Sequence, residues 1–112
     1  MDCVFCKIVS GEIPSKRVYE DDLCVAFCDL DPQAPVHILI IPKEHIESAA
    51  KINSENSKIV AHMFEVAAKL AAENHLDDGW RVVCNVGADG GQTVMHLHFH
   101  LLGGRSMKWP PG

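Results

Sequence analysis

Apolar positions recur along the chain with two different periods, and the change of period marks out the elements. Arg17-Val18-Tyr19-Glu20 and Leu23 to Cys28 read as two short strands around the turn Asp21-Asp22. Asp29 to Pro35 is expected to be a loop, because Pro32 and Pro35 each remove an amide donor. Val36 to Ile41 is apolar and rich in β-branched residues between two prolines, the pattern of a buried strand. From Ser54 to His75 the period becomes helical: Ile59, Met63, Val66 and Leu70 form a stripe that Val60 and Ala67 widen. Ser54 is the expected N-cap, with Glu55 in the first turn, and Asp77-Asp78-Gly79 ends the helix. Trp80 to Val86 and Val94 to Leu102 then read as strands around the glycine-rich turn Gly87 to Gln92, an antiparallel hairpin. Strands around one main helix predict an α+β fold with an antiparallel sheet.

The 112 residues are expected to form one domain, 1–112. A net charge of -5 with no Lys/Arg run argues against nucleic acid as a partner, while small nucleotides need only local donors. No stretch has the length of a membrane span, and the N-terminus lacks the pattern of a signal peptide. Five cysteines, an odd number without an export signal, predict reduced thiols and a cytoplasmic protein.

The chemistry concentrates in His96-Leu97-His98-Phe99-His100. On a strand, alternate residues share a face. The three imidazoles are expected on one side, about 6.6 Å apart along the chain. Met95, Leu97, Phe99 and Leu101 would pack on the helix from the other side. Three readings follow: a merely solvated face, a zinc hydrolase, or nucleophilic catalysis. Zinc chemistry would want a further ligand that the strand does not offer. A neutral imidazole can attack phosphorus if one nitrogen is free and the other donates, commonly to a backbone carbonyl. Clustered imidazoles depress one another's pKa, so a neutral ring is expected near pH 7.

Other residues carry weaker signals. Asp29 can accept from two ribose hydroxyls or simply start a turn. The glycine loop before the histidine strand can approach a phosphate or be a plain hairpin turn. Cys3 and Cys6 have the spacing of a metal-binding pair. A redox role would want them at a helix N-terminus, and nothing around Cys3 predicts a helix.

Met95 to Leu102 resembles the signature of the histidine triad family. Phe5-Cys6-Lys7-Ile8, Glu12-Ile13-Pro14, Phe27-Cys28-Asp29, Pro32 to His37, Ile41-Pro42-Lys43 and Gly90 to Val94 follow the family's order, and Trp109-Pro110-Pro111-Gly112 resembles the tail of its Hint branch. The resemblance implies a five-stranded antiparallel sheet continued across a homodimer. It implies hydrolysis of the P–N bond of purine nucleoside 5'-phosphoramidates, including aminoacyl-adenylate-type substrates, with no catalytic cofactor.

By the same resemblance, His98 is the nucleophile, His100 binds phosphate, His96 supports the cluster and His37 assists proton transfer. Val4, Phe5, Ile8, Ile13 and Phe27 would line the base pocket, Asp29 would hold the ribose, and Leu30 would join the nucleotide contacts. Asn85, Gly91, Gln92, Thr93 and Val94 would approach the phosphate. Trp109 would reach the leaving-group side of the partner's site. Cys3, Cys6, His45 and His96 would hold a structural zinc ion. Cys28, Thr93 and Lys108 depart from many Hint members; Thr93 keeps a hydroxyl for phosphate contact. The rival functions are a nucleotide-binding scaffold with incidental hydrolysis and a dinucleoside polyphosphate hydrolase.

Overall fold

A computed structural model describes residues 2–112. Alternation in the strands builds an antiparallel sheet with apolar residues on both faces. Its strands are β1 (Arg17–Glu20), β2 (Cys24–Cys28), β3 (Val36–Pro42), β4 (Trp80–Val83) and β5 (Phe99–Gly103), ordered β1-β2-β3-β5-β4. The helices are α1 (Val4–Ser10) and α2 (Ser57–Glu73). Ile38 and Ile40 of β3, with Leu97, Phe99 and Leu101, pack against Met63, Val66 and Leu70 of α2. Leu39 and Ile41 face the other way, onto Phe5 and Ile8 of α1. β3 is therefore buried on both faces, as its apolar run from Ile38 to Ile41 implied. Leu97, Phe99 and Leu101 lie on the helix side as expected, but Met95 is 46% exposed.

Four sequence expectations are corrected. Helix α1 starts at Val4, with Cys3 as its N-cap accepting from the Cys6 amide at 3.3 Å, and Gly11 closes it at φ 87. Phe5 and Ile8 on its buried side, three residues apart, were a helical signal too short to stand out. Helix α2 starts at Ser57, not Ser54. The Asn53 and Asn56 side chains accept from nearby backbone amides, holding residues 53–56 in a turn. β4 stops at Val83, whose partner His100 is the last β5 residue that it pairs, so only one β5 residue, Phe99, lies beyond that pair to support the longer strand expected. His96 and His98 therefore precede the regular strand instead of lying in it.

The β1–β2 turn is closed by one carboxylate. Asp21 Oδ1 accepts from the amides of Leu23 (2.8 Å) and Cys24 (2.9 Å). Its Oδ2 takes the Tyr19 hydroxyl (2.8 Å) and lies 2.6 Å from His62 Nε2 on α2. Burial pushes this carboxyl's pKa up, but the hydrogen bonds outweigh it and hold it well below the usual carboxylate range. A carboxyl depressed in the fold contributes stability at pH values above its unfolded pKa and loses it as pH falls. Asp21→Ala is expected to cost about 2 kcal/mol at pH 7, a melting temperature lower by roughly 10 °C. The gap should shrink as the pH is lowered from 5 towards 3. Thermal melts of both proteins across that range check it; a constant gap would mean the carboxylate charge is irrelevant.

Candidate active site

His98 is buried, and its orientation is set by its own neighbour. Its Nδ1 lies 2.7 Å from the carbonyl oxygen of His96. A carbonyl can only accept, so Nδ1 carries the proton and Nε2 keeps its lone pair. Phe5 packs edge-on against the ring at 5.1 Å between centroids, and His100 stands at 5.0 Å.

A second chain of hydrogen bonds fixes His100. The Gln33 amide donates to His37 Nδ1 (3.0 Å), so His37 carries its proton on Nε2. That nitrogen lies 2.9 Å from His100 Nδ1 and 3.4 Å from Asp29 Oδ2. His100 Nδ1 therefore accepts, leaving its Nε2–H as a donor. Burial, reinforced by His98 and His37, pushes the His100 pKa down to about 4 despite Asp29. Burial also lowers His37, against the pull of Asp29 and Asp31. Both rings are thus neutral near pH 7.

His96 does not join them. Its ring is fully buried and turned the other way. Nε2 donates to the Pro42 carbonyl at 2.9 Å, so Nδ1 presents a lone pair. That lone pair faces Cys3 Sγ (3.2 Å), Cys6 Sγ (3.6 Å) and His45 Nδ1 (3.2 Å), with Cys6 Sγ and His45 Nδ1 at 3.3 Å. Ligand atoms of a tetrahedral zinc site stand roughly 3.3 to 3.8 Å apart, given Zn–S near 2.3 Å and Zn–N near 2.0 Å. Two thiols and two ring nitrogens at these spacings are a donor set zinc accepts. The three-imidazole cluster expected from alternation is thus a His37–His98–His100 site beside a separate Cys3–Cys6–His45–His96 centre.

Around the triad, Phe5, Ile8 and Phe27 form an apolar wall with Ile13 and Val94 against it. Val4 is partly exposed and Leu30 is 99% exposed. Asp29 is a turn starter, its Oδ1 accepting from the Asp31 amide at 2.8 Å, while its Oδ2 faces His37 at 3.4 Å. In the glycine loop, a Cβ on Gly90 would lie 2.3 Å from the Val86 carbonyl oxygen, and Gly91 has φ 82. Gln92 is buried and spends its amide protons on the Glu47 and Val94 carbonyls, so it builds the loop. Thr93 is exposed beside it, and Asn85 is half-buried. Trp109 is 82% exposed and does not fold over its own core, while the Lys108 carbonyl accepts from Arg81. A 630 Å³ cavity between the α2–β4 turn and residues 104–107 holds none of the triad. The Pro42 carbonyl and the Gln33 amide had no sequence signal, because any residue supplies such groups.

The chain matches the HIT domain over residues 10–107. It is 52% identical over 111 residues to an uncharacterized HIT-like protein of Synechococcus elongatus, covering 99% of this chain and 97% of that one. A 14 kDa zinc-binding protein of Zea mays is 50% identical, with 97% and 87% covered. The crystal structure of a HIT family hydrolase from Legionella pneumophila superposes with a TM-score of 0.97 at 51% identity, covering 99% of this chain and all of that one. A histidine triad protein from Clostridium difficile gives 0.93, also at 51% identity, with 96% and 95% covered. With a matching fold and sequence, the chain belongs to the HIT, or histidine triad, family.

Proposed function

We propose that this protein hydrolyses the P–N bond of purine nucleoside 5'-phosphoramidates through a nucleotidyl-histidine intermediate on His98. The observation that carries the reading is the His98 ring, held by the His96 carbonyl with its Nε2 lone pair free. In the first step that lone pair forms a bond to phosphorus, and the P–N bond to the amine breaks. The electron pair leaves with the amine, which takes a proton from solvent. In the second, a water oxygen attacks phosphorus and the bond to Nε2 breaks. The nucleoside monophosphate departs, its water proton is released, and the pair returns to the ring.

His100 holds the phosphoryl oxygens as a neutral Nε2–H donor, and His37 assists by fixing that proton's position through Nδ1 of His100. Thr93 and the loop at Gly91 and Asn85 approach the phosphate, and Asp29 takes the ribose hydroxyls. The wall of Phe5, Ile8 and Phe27, with Ile13 and Val94 packed against it, accepts the base, and the exposed Val4 and Leu30 would add contacts to the nucleotide. The Legionella relative, described as a hydrolase, supports the reaction class.

Cys3, Cys6, His45 and His96 would hold a structural zinc ion. Four protein ligands leave no open position for water, so such an ion supplies cross-linking of the N-terminus to the triad segment and no reaction step. The maize relative's zinc-binding description supports this. The working unit is a two-fold homodimer. Among the described residues the outer edge of β4 is unpaired, Phe64 on α2 is half-exposed, and Trp109 projects from the tail where it can cover a partner.

His98→Ala should retain the fold and lose several orders of magnitude in kcat. Mass spectrometry of the wild type mixed with an adenosine phosphoramidate should reveal AMP and an adduct on His98; near-normal turnover by the variant would sink the covalent route. Protein purified without added metal or chelator should carry about one zinc per chain by elemental analysis, and Cys6→Ser should carry almost none. Light scattering should give twice the chain mass at micromolar concentration. Trp109→Ala should change the preference among amine leaving groups several-fold, about 1 kcal/mol in transition-state terms, and an unchanged preference would remove the tail from the site.

A further inference from the structure

His96 stands between two sites. Its ring belongs to the Cys–His centre, while its carbonyl holds the catalytic imidazole. Nothing in the sheet fixes that carbonyl, because residues 94–98 precede β5 and take no part in the ladder. The segment is gripped instead from residues 45–47. The Leu97 amide donates to the Ile46 carbonyl at 2.6 Å, Gln92 donates to the Glu47 carbonyl at 2.9 Å, and the His45 ring meets the His96 ring. The remaining anchor of the His96 ring is the Pro42 carbonyl on Nε2.

The Nδ1 side is the weak point of this arrangement. The two ring nitrogens at 3.2 Å, His45 Nδ1 and His96 Nδ1, cannot both present lone pairs without repulsion. A proton or a metal ion shared between them removes it. Without a metal ion the four donor atoms have no common anchor, and the His96 ring is held on this side only by its contacts with the thiols and His45. The same His45 adjoins Ile46, whose carbonyl grips the Leu97 amide of the peptide unit that carries the His96 carbonyl.

We propose that Cys3, Cys6 and His45 are positioning residues for His98. By gripping His96 through a shared zinc ion, they hold its carbonyl so that His98 keeps its proton on Nδ1. The catalytic consequence rests on the functional reading above; the coupling of the metal centre to the His98 tautomer does not. Phe5 strengthens the coupling, since one ring packs edge-on against both His96 (5.8 Å) and His98 (5.1 Å). It lies on α1, between Cys3 and Cys6, so displacement of either thiol displaces Phe5 as well.

The test uses protein labelled with 15N-histidine, held at one neutral pH: zinc-loaded wild type, chelator-stripped wild type, Cys6→Ser, Cys6→His and, as a destabilised control, Asp21→Ala. Circular dichroism checks the fold of each. In the loaded wild type, in Asp21→Ala and in Cys6→His, His98 should give the resonances of a single Nδ1–H tautomer. In stripped protein and Cys6→Ser the two tautomers should average. With an adenosine phosphoramidate, kcat should fall about ten- to a hundred-fold in the latter pair, with KM changed less than about twofold. Adding zinc to the stripped protein should restore both readouts, which keeps the test valid if Cys6→Ser does not fold. A folded, zinc-free protein with His98 in a single Nδ1–H tautomer overturns the proposal, as does a wild type that binds no zinc. A loaded wild type that follows the tautomer pattern without hydrolysing the phosphoramidate leaves the coupling standing and removes the functional reading instead.

Discussion

Burying an imidazole is costly unless both of its nitrogens are accounted for. This constraint governs the functional half of the molecule. His37, His96 and His98 are all buried, and His100 is nearly so. Backbone groups supply one partner to each of the first three: the Gln33 amide, the Pro42 carbonyl and the His96 carbonyl. Each such contact settles a tautomer and so aims the ring's other nitrogen. His98 is left with a lone pair, His100 with a donor, and His96 with a lone pair directed at two thiols.

The backbone can serve in this way because the sheet ladder stops short. Had the strand run from Val94, as the alternating pattern suggested, the His96 carbonyl would point along the ladder towards a neighbouring strand. Here β5 begins at Phe99. The preceding residues bend out of register, and the carbonyl turns back onto the ring two residues later. Leu97 still reaches the α2 side of the core, so the irregular segment keeps its apolar anchor. The same departure separates His96 from the triad face and delivers it to the N-terminal cysteines.

The neutral state of His37 and His100 follows from the same burial. His100 is pushed to about 4 by desolvation first and by its neighbouring imidazoles second. A cationic ring there would bind phosphate more strongly, but it would need a second proton where His37 already donates. The fold favours a fixed neutral donor over a mobile charge, consistent with a site that orients groups before reaction.

Much of this was legible in the sequence. Period-two alternation put Leu97, Phe99 and Leu101 on the core side and the histidines opposite, because side-chain direction in extended chain is a local property. The apolar stripe from Ile59 to Leu70 gave α2 for the same reason. The density of histidines marked the candidate site, the motif order named the family, and the Cys3–Cys6 spacing marked half of a candidate metal centre. The sequence could not say where the ladder ends, that a helix begins after Cys3, or that His96 leaves its neighbours. Those outcomes depend on partners such as the Pro42 carbonyl, 54 residues away, and the Ile46 carbonyl that receives Leu97. Backbone groups are identical at every residue, so only the tertiary structure decides which of them meets which ring.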